Sequence, residues 1–213
     1  MDATDGSQEV VRLFPTFVWK WRLGSEARAP IQRAIFEKLR ALRAGLPEVA
    51  PGQVWQSRHG LHALAELAPL VLHVRRGVEQ VLAFLRSGGA RFEITGLWAN
   101  IAARGGAIAM HNHPNNFLSG VYYAQVQQGA DTINFHDPRQ QAAVMRPPVT
   151  ELTAYNTDQV VVQVEEGTMV IVPAWLAHSV DANRSDRERI SFSFNVMFST
   201  YAETMSQPLW GES

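Results

Sequence analysis

Three histidines are the first residues of this sequence that could do chemistry. His111 and His113 stand two residues apart in AIAMHNH, so on a β-strand both side chains would project from the same face. His178 follows His113 by 65 residues, at the end of the strand-like segment GTMVIVPAWLAH. Imidazole is a common ligand of iron, zinc, copper and nickel. The spacing is consistent with a metal site, and also with a polar strand end whose histidines are solvated or hydrogen-bonded.

The last strand-like segment, RISFSFNVMFS, adds a second polar group. Its alternation gives one apolar face, with Ile190, Phe192, Phe194, Val196 and Phe198, and one polar face, with Arg189, Ser191, Ser193 and Asn195. The apolar face can cover helices, whereas the polar face must meet water or a polar cavity. Arg189 follows His178 by eleven residues, so a turn and return would bring both near one end of adjacent strands. A guanidinium inside a barrel can bind a carboxylate through two hydrogen bonds, and Ser191 could add a hydroxyl donor.

Composition narrows this chemistry further. The 213 residues include no cysteine, which excludes disulfides, thiolate zinc sites, iron–sulfur clusters and a cysteine nucleophile. Any metal is therefore expected to have nitrogen and oxygen ligands. The net charge of -1 argues against electrostatic capture of nucleic acid. The first ten residues are acidic rather than basic, and no run approaches the roughly 18 apolar residues of a membrane span. We therefore expect a cytoplasmic protein with no membrane contact.

Helices and short strands must position these residues. The sequence predicts an edge strand over Val10–Leu23, a helix from about Ala29 that ends before Gly45, and a second helix over Pro69–Arg86. From Arg91 onward, segments rich in β-branched and aromatic residues alternate with turn signals. Strands that follow a helical opening predict an antiparallel barrel or sandwich with helices packed on one outer face.

Several ordered motifs give the chain a resemblance to a known family. They are WANI, MHNHPNNFLSGVYYA, FHDPR and GTMVIVPAWLAHSVDANRSDRERISFSFN, and together they span roughly Phe92–Phe198. In this pattern the sequence resembles the 2-oxoglutarate/iron(II) dioxygenase superfamily, and within it a branch of small bacterial proteins with an HxHP…SGVYY motif. The resemblance implies a mainly β fold, a double-stranded β-helix (jelly roll) with helices on one face. We expect a single domain over 1–213, in which residues 1–90 support a jelly-roll catalytic core at 91–200.

The resemblance also implies a function and a set of site residues. The expected activity couples oxidative decarboxylation of 2-oxoglutarate to hydroxylation or oxidation of a small-molecule or peptide substrate, with Fe(II) as cofactor. His111 fills the first position of the family's His-x-Asp/Glu motif, His178 fills the distal histidine, and Arg189 fills the position that binds the far carboxylate of 2-oxoglutarate. Tyr123 and Ser191 match positions that contact the cosubstrate in the family. Asn100 is expected to contact the cosubstrate or the substrate.

One residue departs from the family pattern. His113 stands where the superfamily has Asp or Glu, and a neutral imidazole leaves the metal site one unit more positive than a carboxylate does. We expect His113 to be the third metal ligand. Two alternatives remain at this stage: His113 turns away and two protein ligands hold the metal, or Asp137 supplies a carboxylate.

Two other functions compete with the oxygenase hypothesis. A cupin-like three-histidine enzyme would also carry HxH on a β-barrel, but cupins have a Glu where this chain has Phe117 and Leu118, and Pro-x-Gly before the last histidine. The third hypothesis is a non-enzymatic module that binds a metal or a small acid. It is supported by the presence of His113 where the family has Asp or Glu.

Overall fold

The fold is built from two antiparallel β-sheets and two long helices. It is seen in a computed structural model that describes residues 9–87, 89–139 and 148–202. The helices are α1 (Ser25–Arg43), α2 (Ala68–Phe84) and the short α3 (Ser199–Ala202). The strands are β1 (Trp19–Arg22), β2 (Val54–Gln56), β3 (Phe92–Ala102), β4 (Ile108–His111), β5 (Leu118–Gln125), β6 (Thr132–His136), β7 (Gln159–Gln163), β8 (Thr168–Pro173), β9 (His178–Val180) and β10 (Arg189–Phe198).

The two sheets face each other as layers of a jelly roll. One has six strands in the order β1-β8-β5-β10-β3-β2, and the other has four in the order β4-β9-β6-β7. Apolar side chains of both sheets meet in one cluster, for example Tyr123 and Val172 from the first with Phe135 and Val180 from the second. The mainly β jelly-roll fold expected from the sequence is confirmed.

The helices cover the outer face of the six-stranded sheet. Ile31, Ile35 and Leu39 recur at helical spacing on α1, and they join a core that includes Phe192 and Phe194 of β10. The apolar face of β10 therefore packs under the helices, and its polar face points between the sheets. The predicted division of β10 into two faces is confirmed.

The first 90 residues contribute strands to the sheet as well as helices. β1 pairs with β8 and β2 pairs with β3, so these two short strands form the edges of the six-stranded sheet. The strand expected over Val10–Leu23 is an edge strand, but only its last part, Trp19–Arg22, is paired. The division between a support region and a catalytic core at residue 90 stays a prediction. No helix among the described residues is long and apolar enough to cross a membrane.

Candidate metal centre

Three histidine side chains converge at one end of the four-stranded sheet. His111 ends β4 and His178 begins the neighbouring antiparallel β9, where the two are paired at the Cα level. His113 follows two residues after β4, and its backbone N–H donates to the carbonyl of Ala174 at 2.9 Å. One nitrogen from each of the three rings lies within 4.8 Å of the other two. This arrangement brings together the three histidines singled out in the sequence.

Backbone hydrogen bonds orient two of the three rings. Nδ1 of His111 lies 2.9 Å from the carbonyl oxygen of Ala109, and Nδ1 of His178 lies 2.9 Å from that of Leu176. A carbonyl oxygen can only accept, so each Nδ1 carries the proton and donates it. The Nε2 lone pair of each ring is then free to bind a metal, as is common for histidine ligands.

Aromatic contacts hold the third ring. The centroid of the His113 ring lies 5.2 Å from that of His178, with the planes nearly parallel, and 5.9 Å from the Trp98 ring. Trp98 in turn stacks on His59 at 4.3 Å. His113 is thus packed between Trp98 and the other two histidines, with its ring facing the cluster.

Burial keeps two of these rings neutral. Desolvation, together with the neighbouring His178 and His111, lowers the pKa of His113 to about 3. Desolvation also lowers the pKa of His178 to about 4, against the opposing effect of its hydrogen bond to Leu176. Neutral imidazole is the form that binds metal ions, so these two rings present their lone pairs already at neutral pH.

Arg189 lies across the interior from the histidines, at the start of β10. Only 2% of the residue is exposed, and its Nε and Nη1 are buried with no hydrogen-bond partner among the described residues. Burial lowers the pKa of Arg189, yet a guanidinium remains protonated at neutral pH. A buried charge is costly unless it is paired, so these nitrogens are suited to an anionic ligand.

The histidines and Arg189 line one cavity between the two sheets. Tyr123, Asn100 and Ser191 line it too, and strand register places the Cα of Ser191 opposite both Tyr123 of β5 and Asn100 of β3. Burial raises the pKa of Tyr123 to about 12, so its hydroxyl stays protonated and can donate. All seven residues predicted from the sequence to form the site, His113 included, therefore line this cavity.

Gln56 and Ser193 also line the cavity and were not predicted as site residues. Gln56 of β2 donates from Nε2 to Oδ1 of Asn100 at 2.8 Å, and Asn100 donates from Nδ2 to Oγ of Ser193 at 2.9 Å. The alternation of β10 placed Ser193 on the polar face, which was a usable signal. Gln56 carried none, because its position depends on the pairing of β2 with β3.

Asp137 and His136, both in the FHDPR motif, lie outside the metal cluster. Asp137 accepts hydrogen bonds from the side chain of Arg139, at 2.9 Å from Nε and 2.6 Å from Nη2, so that carboxylate is already paired within its own turn. The histidine cluster contains no carboxylate among the described residues. Nε2 of His136 lies 2.9 Å from Oγ of Ser179, and His136 does not line the cavity.

Comparison with known proteins agrees with this geometry. Residues 96–195 match the protein-family model described as "Putative 2OG-Fe(II) oxygenase". A comparison with curated proteins found no match.

Solved structures with the same fold include several 2-oxoglutarate-dependent proteins. The α-ketoglutarate-dependent epimerase SnoN of nogalamycin biosynthesis is 15% identical over 93% of this chain and 87% of its own, with a TM-score of 0.62. HygX from Streptomyces hygroscopicus, with nickel and 2-oxoglutarate bound, is 12% identical over 86% and 83%, with a TM-score of 0.59. An oxidoreductase of the 2OG-Fe(II) oxygenase family from Burkholderia pseudomallei is 16% identical over 76% of each chain, with a TM-score of 0.51.

The jelly-roll fold, the family match over residues 96–195 and the convergence of three histidines with a buried arginine agree. The cupin-like and non-enzymatic alternatives are not favoured. Over residues 96–195 this chain is similar to the 2OG-Fe(II) oxygenase family.

Proposed function

We propose that this protein is an oxygenase that binds Fe(II) through His111, His113 and His178 and binds the 5-carboxylate of 2-oxoglutarate with Arg189. The observation that carries the proposal is the state of Arg189. Its guanidinium is buried, has two nitrogens without a partner among the described residues, and lines the same cavity as the histidines. A dianionic cosubstrate that reaches from the histidine cluster to Arg189 would offset the cost of burying that charge.

The three histidines have separate supports for the role of metal ligand. His111 and His178 present Nε2 because their Nδ1 protons are donated to backbone carbonyls. His113 is packed against Trp98 and is neutral because burial lowers its pKa. When bound, Fe(II) and 2-oxoglutarate supply the chemistry of this family, in which the keto acid is decarboxylated to succinate while a substrate is hydroxylated or otherwise oxidised.

Tyr123 and Ser191 would complete the binding of the far carboxylate. They are Cα partners on β5 and β10, and Ser191 is two residues from Arg189 on the same polar face. A protonated phenol, a hydroxyl and a guanidinium are all hydrogen-bond donors, which is the set a carboxylate requires. Asn100 would contact the cosubstrate or substrate from β3, with its amide oriented by Gln56 and Ser193.

The apolar wall of the cavity would exclude water from the reaction. Val170 and Val172 of β8 face Ile133 and Phe135 of β6 around it. Hydrogen bonds and ion pairs are stronger in such a low-dielectric setting, so orientation of the cosubstrate would need few polar groups.

Binding of 2-oxoglutarate to the Fe(II)-loaded protein, measured anaerobically by calorimetry, tests the proposal. We expect Arg189→Ala to weaken binding by about a hundredfold, because truncating one member of a buried charge pair costs on the order of 2–5 kcal/mol. Arg189→Lys should recover only part of the loss, since an ammonium cannot form the bidentate contact.

The matched control is Arg139→Ala, which removes an exposed arginine that pairs with Asp137 outside the cavity. It should bind 2-oxoglutarate like the wild type. In air, with ascorbate, the wild-type protein should also release succinate slowly without a primary substrate. Wild-type affinity for 2-oxoglutarate in Arg189→Ala, or no binding by the wild type, would refute the proposal.

The proposal extends to the setting of the enzyme. We propose a small-molecule or peptide substrate rather than a nucleic acid or a membrane, supported by the net charge of -1. A cytoplasmic location is supported by the absence of cysteine and by the need for reduced iron, which a reducing compartment provides.

A further inference from the structure

The cavity has an unbalanced set of charges. Among the described residues that line it, none is Asp or Glu, and Arg189 is the one side chain with a fixed charge. If the proposed function holds, a divalent metal, the dianion of 2-oxoglutarate and Arg189 together leave a net charge of +1 in the cavity. A carboxylate at position 113 would have cancelled that charge, but His113 does not.

The net positive charge acts inside a cavity between two sheets, where the effective dielectric is low and charges attract several times more strongly than in water. The histidines cannot balance this charge, since a neutral imidazole ligand carries no negative charge. The loaded cavity therefore favours one additional anion over a neutral group of the same shape.

A directed chain of hydrogen bonds ends at Ser193, which lines the same cavity as His113. Gln56 donates to Asn100, and Asn100 donates to the hydroxyl of Ser193, so Ser193 accepts here and keeps its own proton to donate. Ser193 is the Cα partner of Trp98, and the Trp98 ring lies 5.9 Å from the His113 ring. The chain thus ends in a hydroxyl donor inside the cavity that His113 also lines, as an anion would require.

We propose that the primary substrate carries an acid group, and that this anion binds in the cavity beside His113 with the Ser193 hydroxyl as its donor. The inference rests on the proposed function, because the net charge of the cavity includes the bound metal and 2-oxoglutarate. The site is separate from that of Arg189, where the cosubstrate carboxylate binds. Acetate serves as the probe for an acid group. Chloride serves as the probe for a halide, which also carries a single negative charge.

The experiment uses the protein loaded anaerobically with Co(II) and saturating 2-oxoglutarate. Acetate is titrated and followed by the d–d absorption of the cobalt. We expect acetate to bind to the wild type and acetamide, its neutral isostere, not to bind. His113→Asp should weaken acetate binding at least about tenfold, equivalent to about 1.4 kcal/mol, because the new carboxylate cancels the charge.

Ser193 gives an independent pair of variants. Ser193→Ala should weaken acetate binding about tenfold, because it removes the hydroxyl that donates a hydrogen bond to the charged group. Ser193→Thr keeps the hydroxyl and should restore most of the affinity. This pair decides the matter if His113→Asp fails to fold or to bind cobalt, which circular dichroism and metal analysis would reveal.

The outcomes separate this inference from the proposed function. No binding of 2-oxoglutarate by the wild type refutes the proposed function itself. Binding of 2-oxoglutarate with no acetate binding, with equal binding of acetamide, or with affinity unchanged in both His113→Asp and Ser193→Ala overturns the inference alone. Chloride binding tighter than acetate overturns the assignment to an acid group and assigns the charge to a halide.

Discussion

Burial of the metal-site histidines has a consequence for stability in the metal-free protein. The pKa of His178 is about 4 and that of His113 about 3 in the folded chain, against 6.5 ordinarily. Below about pH 6.5 the unfolded chain therefore binds protons that the folded chain does not, and folding weakens as pH falls. Above that pH both states are neutral at these residues and the dependence disappears.

We expect the unfolding free energy of metal-free protein to be level above about pH 6.5 and to fall towards pH 4. Each of the two histidines contributes at most about 1.4 kcal/mol per pH unit in that window. Urea unfolding followed at several pH values measures the slope. His178→Leu should reduce the slope, since leucine does not titrate, and an unchanged slope would contradict the burial argument.

At the scale of elements, β5 is held tightly between β8 and β10, and its glycine is required there. A Cβ on Gly120 would overlap the Phe194 ring of β10 and the Val170 carbonyl oxygen of β8. The backbone oxygen cannot move without disturbing the ladder. We expect Gly120→Ala to lower the unfolding free energy by about 1–3 kcal/mol, as overpacking does.

Urea unfolding of Gly120→Ala checks this expectation. Gly60→Ala is the matched control, because no atom lies within 4 Å of a Cβ built at Gly60. The control should unfold close to the wild type. Equal midpoints for the two variants would show that the sheet relaxes around position 120.

The outer edge of β7 is the element most exposed to pairing with another chain. β7 ends the four-stranded sheet and no described strand pairs with its outer side. Lys20, on β1 of the other sheet, donates to the carbonyl of Gln163 at 2.7 Å, and Thr157 donates to the carbonyl of Gln159 at 2.9 Å. These contacts occupy carbonyls at both ends of the strand, which is a common protection of sheet edges.

We therefore expect Lys20→Thr to increase self-association. Loss of the lysine frees the Gln163 carbonyl and removes a charge beside the neutral strand QVVVQ. Sedimentation velocity over a range of concentrations should show a larger species that the wild type lacks. Lys38→Thr, which removes a lysine paired with Glu66 away from this edge, should sediment like the wild type.

Local pattern was sufficient to predict the elements that have one dominant face. The alternation of β10 fixed which side chains meet the helices, and apolar spacing located α1 and α2 to within a few residues. β1 was predicted too long, because β-branched and aromatic residues continue upstream of Trp19 while strand pairing does not. Length of an edge strand depends on its partner, and the sequence does not contain that information locally.

Long-range register explains what was missed at the site. The histidines and Arg189 were predicted because spacing and family resemblance agree. Gln56 was missed, since it reaches Asn100 only through the pairing of β2 with β3 across 44 positions of sequence. The stacking of His59 on Trp98 was missed for the same reason, because the contact joins a loop to β3.

At the scale of the whole molecule, the proposed site joins the two sheets. His111 and His178 lie on the four-stranded sheet, and Arg189 lies on the six-stranded one. A metal alone would bind at the histidines, whereas 2-oxoglutarate would also reach Arg189 and connect the layers. Ligands that bind only the native state stabilise it by about 2.7 kcal/mol at one hundred times their dissociation constant.

We therefore expect two separate increments in the thermal unfolding temperature. Fe(II) under anaerobic conditions should raise it, and 2-oxoglutarate at about a hundredfold excess over its dissociation constant should add about 5–10 °C for a chain of this size. Arg189→Ala should keep the metal increment and lose the second one. His178→Leu should lose both, because 2-oxoglutarate would then lack the metal as well as one wall of the cavity. Calorimetry of the wild type and both variants, each without ligand, with Fe(II), and with Fe(II) plus 2-oxoglutarate, measures these increments. A full 2-oxoglutarate increment in Arg189→Ala would mean that the cosubstrate does not bridge the sheets.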